Sequence, residues 1–191
     1  MNKTIKTIFK IIFVIAVLVF VYYMSLYVAE DETVGILVSK YGYIGLLVIS
    51  VLSGFNLLIP VPAIIFLPIF LSAGLNFWIS VGIIVVGMTA GDAMGFVLGR
   101  LGKDLIKEHK RPKWFPKVEK SILKYPKLTP VVLFLYAALV PLPNEILVVP
   151  LAFFGVRFRY IIISVFLGNL VFNTISGISY VSIFSLLKIG V

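Results

Sequence analysis

Two acids, Asp92 and Glu145, stand in stretches of this chain that are otherwise apolar. Moving an ionisable group into hydrocarbon costs at least about 2.5–3.5 kcal/mol on insertion scales, so such a residue has either a partner or a function. A carboxyl held away from water can exchange a proton near neutral pH, which would suit proton-coupled transport. Glu145 closes the run Pro141-Leu142-Pro143-Asn144-Glu145, which reads as a functional acid at a hairpin tip or on the helix that returns from it. Asp92 follows Gly91 in a patch of small residues (Gly87, Ala90, Gly91, Ala93 and Gly95) that would let another element come close. For Asp92 a structural cap or ion pair is as good a reading as a functional acid. Asn56, Asn144, Asn169 and Asn173 could complete a polar pocket, although asparagines also satisfy broken backbone.

Arg100, Arg157 and Arg159 fall at the expected cytoplasmic ends of apolar runs. An arginine there can grip a phosphate bidentately. Ordinary anchoring by positive charge on the cytoplasmic side explains all three as well, and is the better reading for Arg159. The candidate substrate- or proton-binding set is therefore Glu145, Asp92, Arg100, Asn144, Arg157 and Asn173. No Ser/His/Asp set, HExxH zinc motif or Walker-type loop is present, and His109 lies in a basic, solvated stretch. With no cysteine, thiolate metal sites and thiol nucleophiles are excluded. The expectation is a protein that is not an enzyme and uses no cofactor or metal.

The elements that must position these residues follow from composition. The 191 residues are 61% hydrophobic and 13% charged, with a mean hydropathy of +1.12, whereas soluble domains run about 45–50% apolar and about 25% charged. A formal charge of +9 would suggest a nucleic-acid binder in a soluble chain, but here it is laid down between apolar blocks. The class is an all-α polytopic membrane protein with no nucleic-acid partner.

Residues 8–28 form an apolar run long enough to cross about 30 Å of hydrocarbon. Lys3, Lys6 and Lys10 precede it and Glu30, Asp31 and Glu32 follow, placing the N-terminus in the cytoplasm. A cleaved signal peptide is the competing and weaker reading, because no small-x-small cleavage site is evident. Four regions result: an anchor with an acidic outer loop (1–40), a first unit (41–99), a basic cytoplasmic segment (100–128) and a second unit (129–191). The first unit contains a broken hairpin at 55–75 and a span at 77–98; the second contains a hairpin at 130–155 and a span at 160–187. Pro60, Pro62 and Gly74 break the first hairpin, and Pro141, Pro143 and Gly155 break the second. Proline removes a helical hydrogen bond and clashes with the preceding turn, so these segments read as re-entrant hairpins whose exposed backbone needs protein or water around it.

The basic segment holds ten Lys/Arg against Asp104, Glu108 and Glu119. Phe115, Val118, Ile122 and Leu123 fall on one helical face within it, so it reads either as an amphipathic helix on an anionic membrane surface or as a solvated linker.

A shift of 81 residues aligns Pro60 with Pro141, Pro62 with Pro143, Gly74 with Gly155, Gly87 with Gly168, and Asp92 with Asn173. With the basic segment and Arg157 both inside, the two hairpins would dip in from opposite faces. Paired, proline-interrupted segments of opposite orientation are the sequence mark of an inverted-repeat transporter with its site near the midplane.

The first unit reads Pro60-Val61-Pro62, then Ala73-Gly74-Leu75-Asn76, then Gly91-Asp92 and Phe96-Val97-Leu98-Gly99-Arg100-Leu101-Gly102. The second reads Val140-Pro141-Leu142-Pro143-Asn144-Glu145, then Gly155-Val156-Arg157-Phe158. Over residues 40–185 the chain resembles the DedA family of membrane proteins, also called the VTT or SNARE-associated Golgi protein domain. The resemblance implies opposed re-entrant hairpins and potential- or proton-linked lipid handling: flipping of undecaprenyl phosphate in bacterial relatives and phospholipid scrambling in eukaryotic ones. By position it makes Glu145 and Asp92 the functional acids and puts Arg100 in the matched motif. The chain departs from it at Ala63-Ile64, where many members carry an acid, and at Leu135-Tyr136, where many carry an arginine.

The expectation is a lipid flippase or scramblase of the plasma membrane whose partners are phosphate-bearing lipids. The alternatives are a proton-coupled small-ion antiporter and a non-transporting membrane scaffold that presents the amphipathic segment.

Overall fold

A computed structural model describes residues 3–55, 62–105 and 128–186, together with Lys120, Ile122 and Lys124. Pro60, Asn56 and most of the basic segment lie outside the described residues. Helices α1 (Lys3–Glu30) and α2 (Glu32–Gly54) are followed by a 3-10 turn (Ala63–Phe66) and α3 (Leu67–Ser72). Then come α4 (Phe77–Leu105), α5 (Leu128–Leu139), α6 (Glu145–Phe153) and α7 (Phe158–Leu186). No strand occurs among the described residues. Three helical stretches, Glu32–Gly54, Phe77–Lys103 and Phe158–Ile183, are long and apolar enough to cross a membrane, which makes this a membrane protein. The anchor expected at 8–28 falls within α1.

The acidic outer loop expected before residue 40 contracts to a single residue. Asp31 is extended, at φ −90° and ψ 105°, and its carboxylate accepts the Val34 N–H at 3.0 Å, so it caps α2. Glu32 adds a negative charge at the positive end of the helix dipole. A loop of acids and a helix start look alike in composition; the spacing of Asp31 to the Val34 N–H makes it a helix start. Consequently α2 is a full-length helix over a stretch that the sequence divides between the acidic outer loop and the first unit, and it ends where the expected hairpin at 55–75 begins.

The proline-broken segments do yield short helices. α5 has 12 residues and α6 has nine, each below the roughly 20 that a crossing needs. Between them Pro141 and Pro143 interrupt the ladder, and the Tyr136 hydroxyl donates to the Pro143 carbonyl at 3.2 Å. In the first unit Pro62 is extended and Pro68 sits at the first turn of α3.

The shift of 81 maps α4 onto α7 end to end, Phe77 onto Phe158 and Leu105 onto Leu186. Their entry turns match bond for bond. Gly74 and Gly155 have φ of 84° and 90°, a left-handed conformation that only glycine adopts without penalty. The Leu75 N–H donates to Phe70 and the Val156 N–H to Leu151; the Gly74 N–H donates to Leu71 and the Gly155 N–H to Ala152. Both helices thus leave from one C-capping motif used twice.

Two apolar cores lie at opposite ends. One gathers Leu46, Ile64, Leu67 and Phe70 around the first half of α4, from Val81 to Met88. The other gathers Leu133, Val148, Leu151, Ile161 and Val165 around Phe96. α4 and α7 run antiparallel between them: the Phe96 and Phe158 rings lie 5.0 Å apart at one end, and Gly177 abuts Phe77 at the other.

Glycines set the closeness of this packing. A β-carbon on Gly91 would strike the backbone of Gly54 and Phe55, and one on Gly99 the Val149 carbonyl. Gly91→Leu therefore has only backbone to push against and should lose at least the about 1–3 kcal/mol typical of overpacking. Gly82 faces open space, so Gly82→Ala should gain about 0.5–1 kcal/mol from helix propensity. Thermal unfolding of the detergent-solubilised protein checks both, and equal midpoints for the two variants would refute the packing assignment.

Candidate functional site

The midpoints of α4 and α7 cross where the two apolar cores meet, and the buried polar side chains other than serines collect there. Asp92 (1% exposed) and Thr89 come from α4, Asn169 (1%) and Asn173 from α7, and Asn144 and Glu145 (4%) from the entry to α6. Asn144 occupies the N-cap position of α6 without making a side-chain cap. Its Nδ2 donates instead to Asp92 Oδ2 and to Asn169 Oδ1, both at 3.0 Å. Asn169 Nδ2 donates to the same Asp92 oxygen at 2.9 Å and to Thr89 Oγ1 at 3.4 Å. Both hydrogens of each amide are therefore used, and Asp92 Oδ2 receives two donors. The Asn173 amide donates to the Asn169 carbonyl at 2.7 Å, while its Oδ1, also buried, has no hydrogen-bond partner among the described residues.

Glu145 reaches this cluster because Gly95 leaves room for it: a β-carbon on Gly95 would come within 3.1 Å of Glu145 Cγ. Glu145 is itself buried, so any charge it carries there is costly. Its place in the first turn of α6 opposes part of that cost, since negative charge is favoured at a helix N-terminus.

The cluster borders a cavity of about 360 Å³ walled by Pro62 and Met88 on one side and by Pro141, Pro143, Asn144 and Asn169 on the other. Prolines of both broken segments thus line it. Its described lining carries no charged side chain; Asn144 and Asn169 separate it from Asp92.

The residues singled out from sequence divide into two groups. Asp92, Asn144, Glu145 and Asn173 come together. Arg100 and Arg157 do not join them. Arg100 stands eight residues beyond Asp92 on α4, about 12 Å along the helix at 1.5 Å per residue, and it is exposed. Its Nη1, with Lys103 Nζ, lies over Gly155 in the turn between α6 and α7, where a cation favours the negative end of the α6 dipole. Arg157 is exposed at the same turn. Thr89 escaped the sequence reading, although its position one turn before Asp92 on a small-residue face was the available signal. Asn169, one of four similar asparagines in the sequence, proves to be the hub. Among the described residues no group of three or more His, Cys, Asp or Glu side chains could hold a metal ion.

Removing either amide strands buried partners. Asn169→Ala should cost about 1–3 kcal/mol, and so should Asn144→Ala. Because both donate to one oxygen and Asn144 also donates to Asn169, the double variant should cost less than the sum, by about 0.5–3 kcal/mol. Equilibrium unfolding in mixed micelles measures the cycle; strict additivity would mean that the two act independently.

A family model described as the VTT domain matches residues 59–181. No curated protein and no solved structure matches the chain.

Proposed function

The chain belongs to the VTT domain family, and from that premise we propose that this membrane protein moves phosphate-bearing lipids between leaflets, as a flippase or scramblase. The observation that carries the reading is the closed polar network around Asp92, buried at the crossing of two long helices and bordering a cavity between two proline breaks. Polar groups at the middle of apolar helices are expensive to keep there and mark a pathway more often than a scaffold.

In this reading the matched turns at Gly74 and Gly155 belong to an inverted repeat, and the broken segments are re-entrant hairpins entering from opposite faces. That arrangement puts the site near the midplane. The N-terminus and the basic segment lie in the cytoplasm, and the host is the plasma membrane. Arg100, Lys103 and Arg157 meet the headgroup phosphate at the cytoplasmic mouth, about 12 Å from the acids. Asn144 and Asn169 then receive it in the cavity, and Glu145 takes or gives a proton as the hairpin moves. Transport rather than bond chemistry is the activity.

The uncharged cavity lining favours a second reading, proton-coupled exchange of a small ion, because a phosphate would meet no cation there. Reconstitution separates the two. Vesicles containing the protein should translocate a fluorescent phospholipid. Glu145→Gln and Arg100→Ala should each slow it about tenfold or more, the loss expected from one charge-assisted hydrogen bond. Unchanged translocation in both variants would sink the site assignment; ion-driven proton uptake without lipid movement would select the antiporter.

A further inference from the structure

Ile122 belongs to the basic segment and is half-buried, packed against the core formed by Leu133, Val148 and Leu151. Lys120 and Lys124, two residues to either side, are exposed. At 100° per residue a helical position two away faces the opposite side, so this stretch puts one side chain inward and its lysines outward. Below Ile122 opens a second cavity, of about 370 Å³, walled by Leu128, Val132 and Leu133 of α5 and by Leu147 and Leu151 of α6. Thr129 is the one polar residue in its lining. This cavity shares no described residue with the one at the Asp92 network.

Charge says what suits such a place. Lysines recur in the sequence at 113, 117, 120, 124 and 127; of these Lys120 and Lys124 are described, four residues apart on one helical face and both exposed. Glu119 is the sole acid in that stretch. The exposed ends of α4 and α7 on this side add Arg100, Arg157 and Arg159. An apolar cavity lined by Ile122, with the exposed ammonium groups of Lys120 and Lys124 two residues to either side, matches an amphiphile with an apolar chain and a negative head. A soluble anion would leave the cavity unused, and a zwitterionic lipid would bring a second cation to the lysines.

We propose that this cavity seats one acyl chain of a resident anionic phospholipid, with Lys120 and Lys124 holding its phosphate. The site does not depend on the transport reading, because it uses neither the polar network nor the first cavity. A basic side chain near an anionic lipid surface contributes enough to shift partition about fivefold.

The test uses the full chain, equilibrated in detergent with equal amounts of phosphatidylglycerol and phosphatidylcholine and examined by native mass spectrometry. The wild type should retain phosphatidylglycerol about fivefold or more over phosphatidylcholine. Lys120→Gln with Lys124→Gln, both at the surface, should bring that ratio to about one. Val132→Trp, at a half-exposed position on the cavity wall, should fill the space and lose both lipids. Equal retention of the two lipids by the wild type, or retention by Val132→Trp equal to the wild type's, would overturn the proposal. So would retention of neither lipid by the wild type, which would assign the cavity to the chain's own segment.

Discussion

The organisation of this protein depends on keeping Asp92 inside an apolar bundle. A buried carboxyl without partners is not tolerated, and at the middle of a long apolar helix no bulk water supplies them. Partners must come from other elements, and here they come from two: the break before α6 and the middle of α7. Each amide contributes both of its hydrogens, so the network fixes three elements relative to one another with little slack. Hydrogen bonds of this kind are directional where apolar packing is not, and they decide which residues of α4 and α7 lie side by side.

The network can form only because the helices approach closely. Gly91 admits the end of α2, Gly95 admits the Glu145 side chain and Gly99 admits the α6 backbone. The first half of α4 is thereby committed to α2 and the second half to α6. α7 is used in the same way, with Gly168 receiving Phe134 and Ala137 of α5. Without a hydrophobic driving force between helices in lipid, such small-residue contacts are what dispersion and interhelical hydrogen bonding require.

Much of this was legible in the sequence because prolines, glycines and misplaced acids carry geometric meaning by themselves. The pairs Pro62/Pro143 and Gly74/Gly155 announced the breaks and turns, and the structure adds that both glycines have a left-handed backbone. The small residues around Asp92 announced a close neighbour. What was not legible depended on which elements meet. Asp31 looks like a loop acid until its hydrogen bond to the Val34 N–H makes it a cap, and α2 was hidden as a result. Asn169 could be ranked above the other asparagines only once α4 and α7 were placed side by side. Arg100 is near Asp92 in sequence, yet eight residues along a helix is a distance that spacing alone does not convert into contact.

That separation gives α6 its particular position. Its N-terminal end carries Asn144 and Glu145 into the acidic centre, and its C-terminal end lies at the Gly155 turn beneath Arg100 and Lys103. Nine residues, about 13 Å of helix, therefore join the buried acids to the basic surface. The face of α4 on which it rests is glycine at 95, 99 and 102, so fewer side chains interlock there than in an ordinary helix pair. It is bounded by a proline break at one end and a left-handed glycine at the other. The surroundings of Asp92 and of Arg100 are therefore both set by where this one short helix sits along that groove.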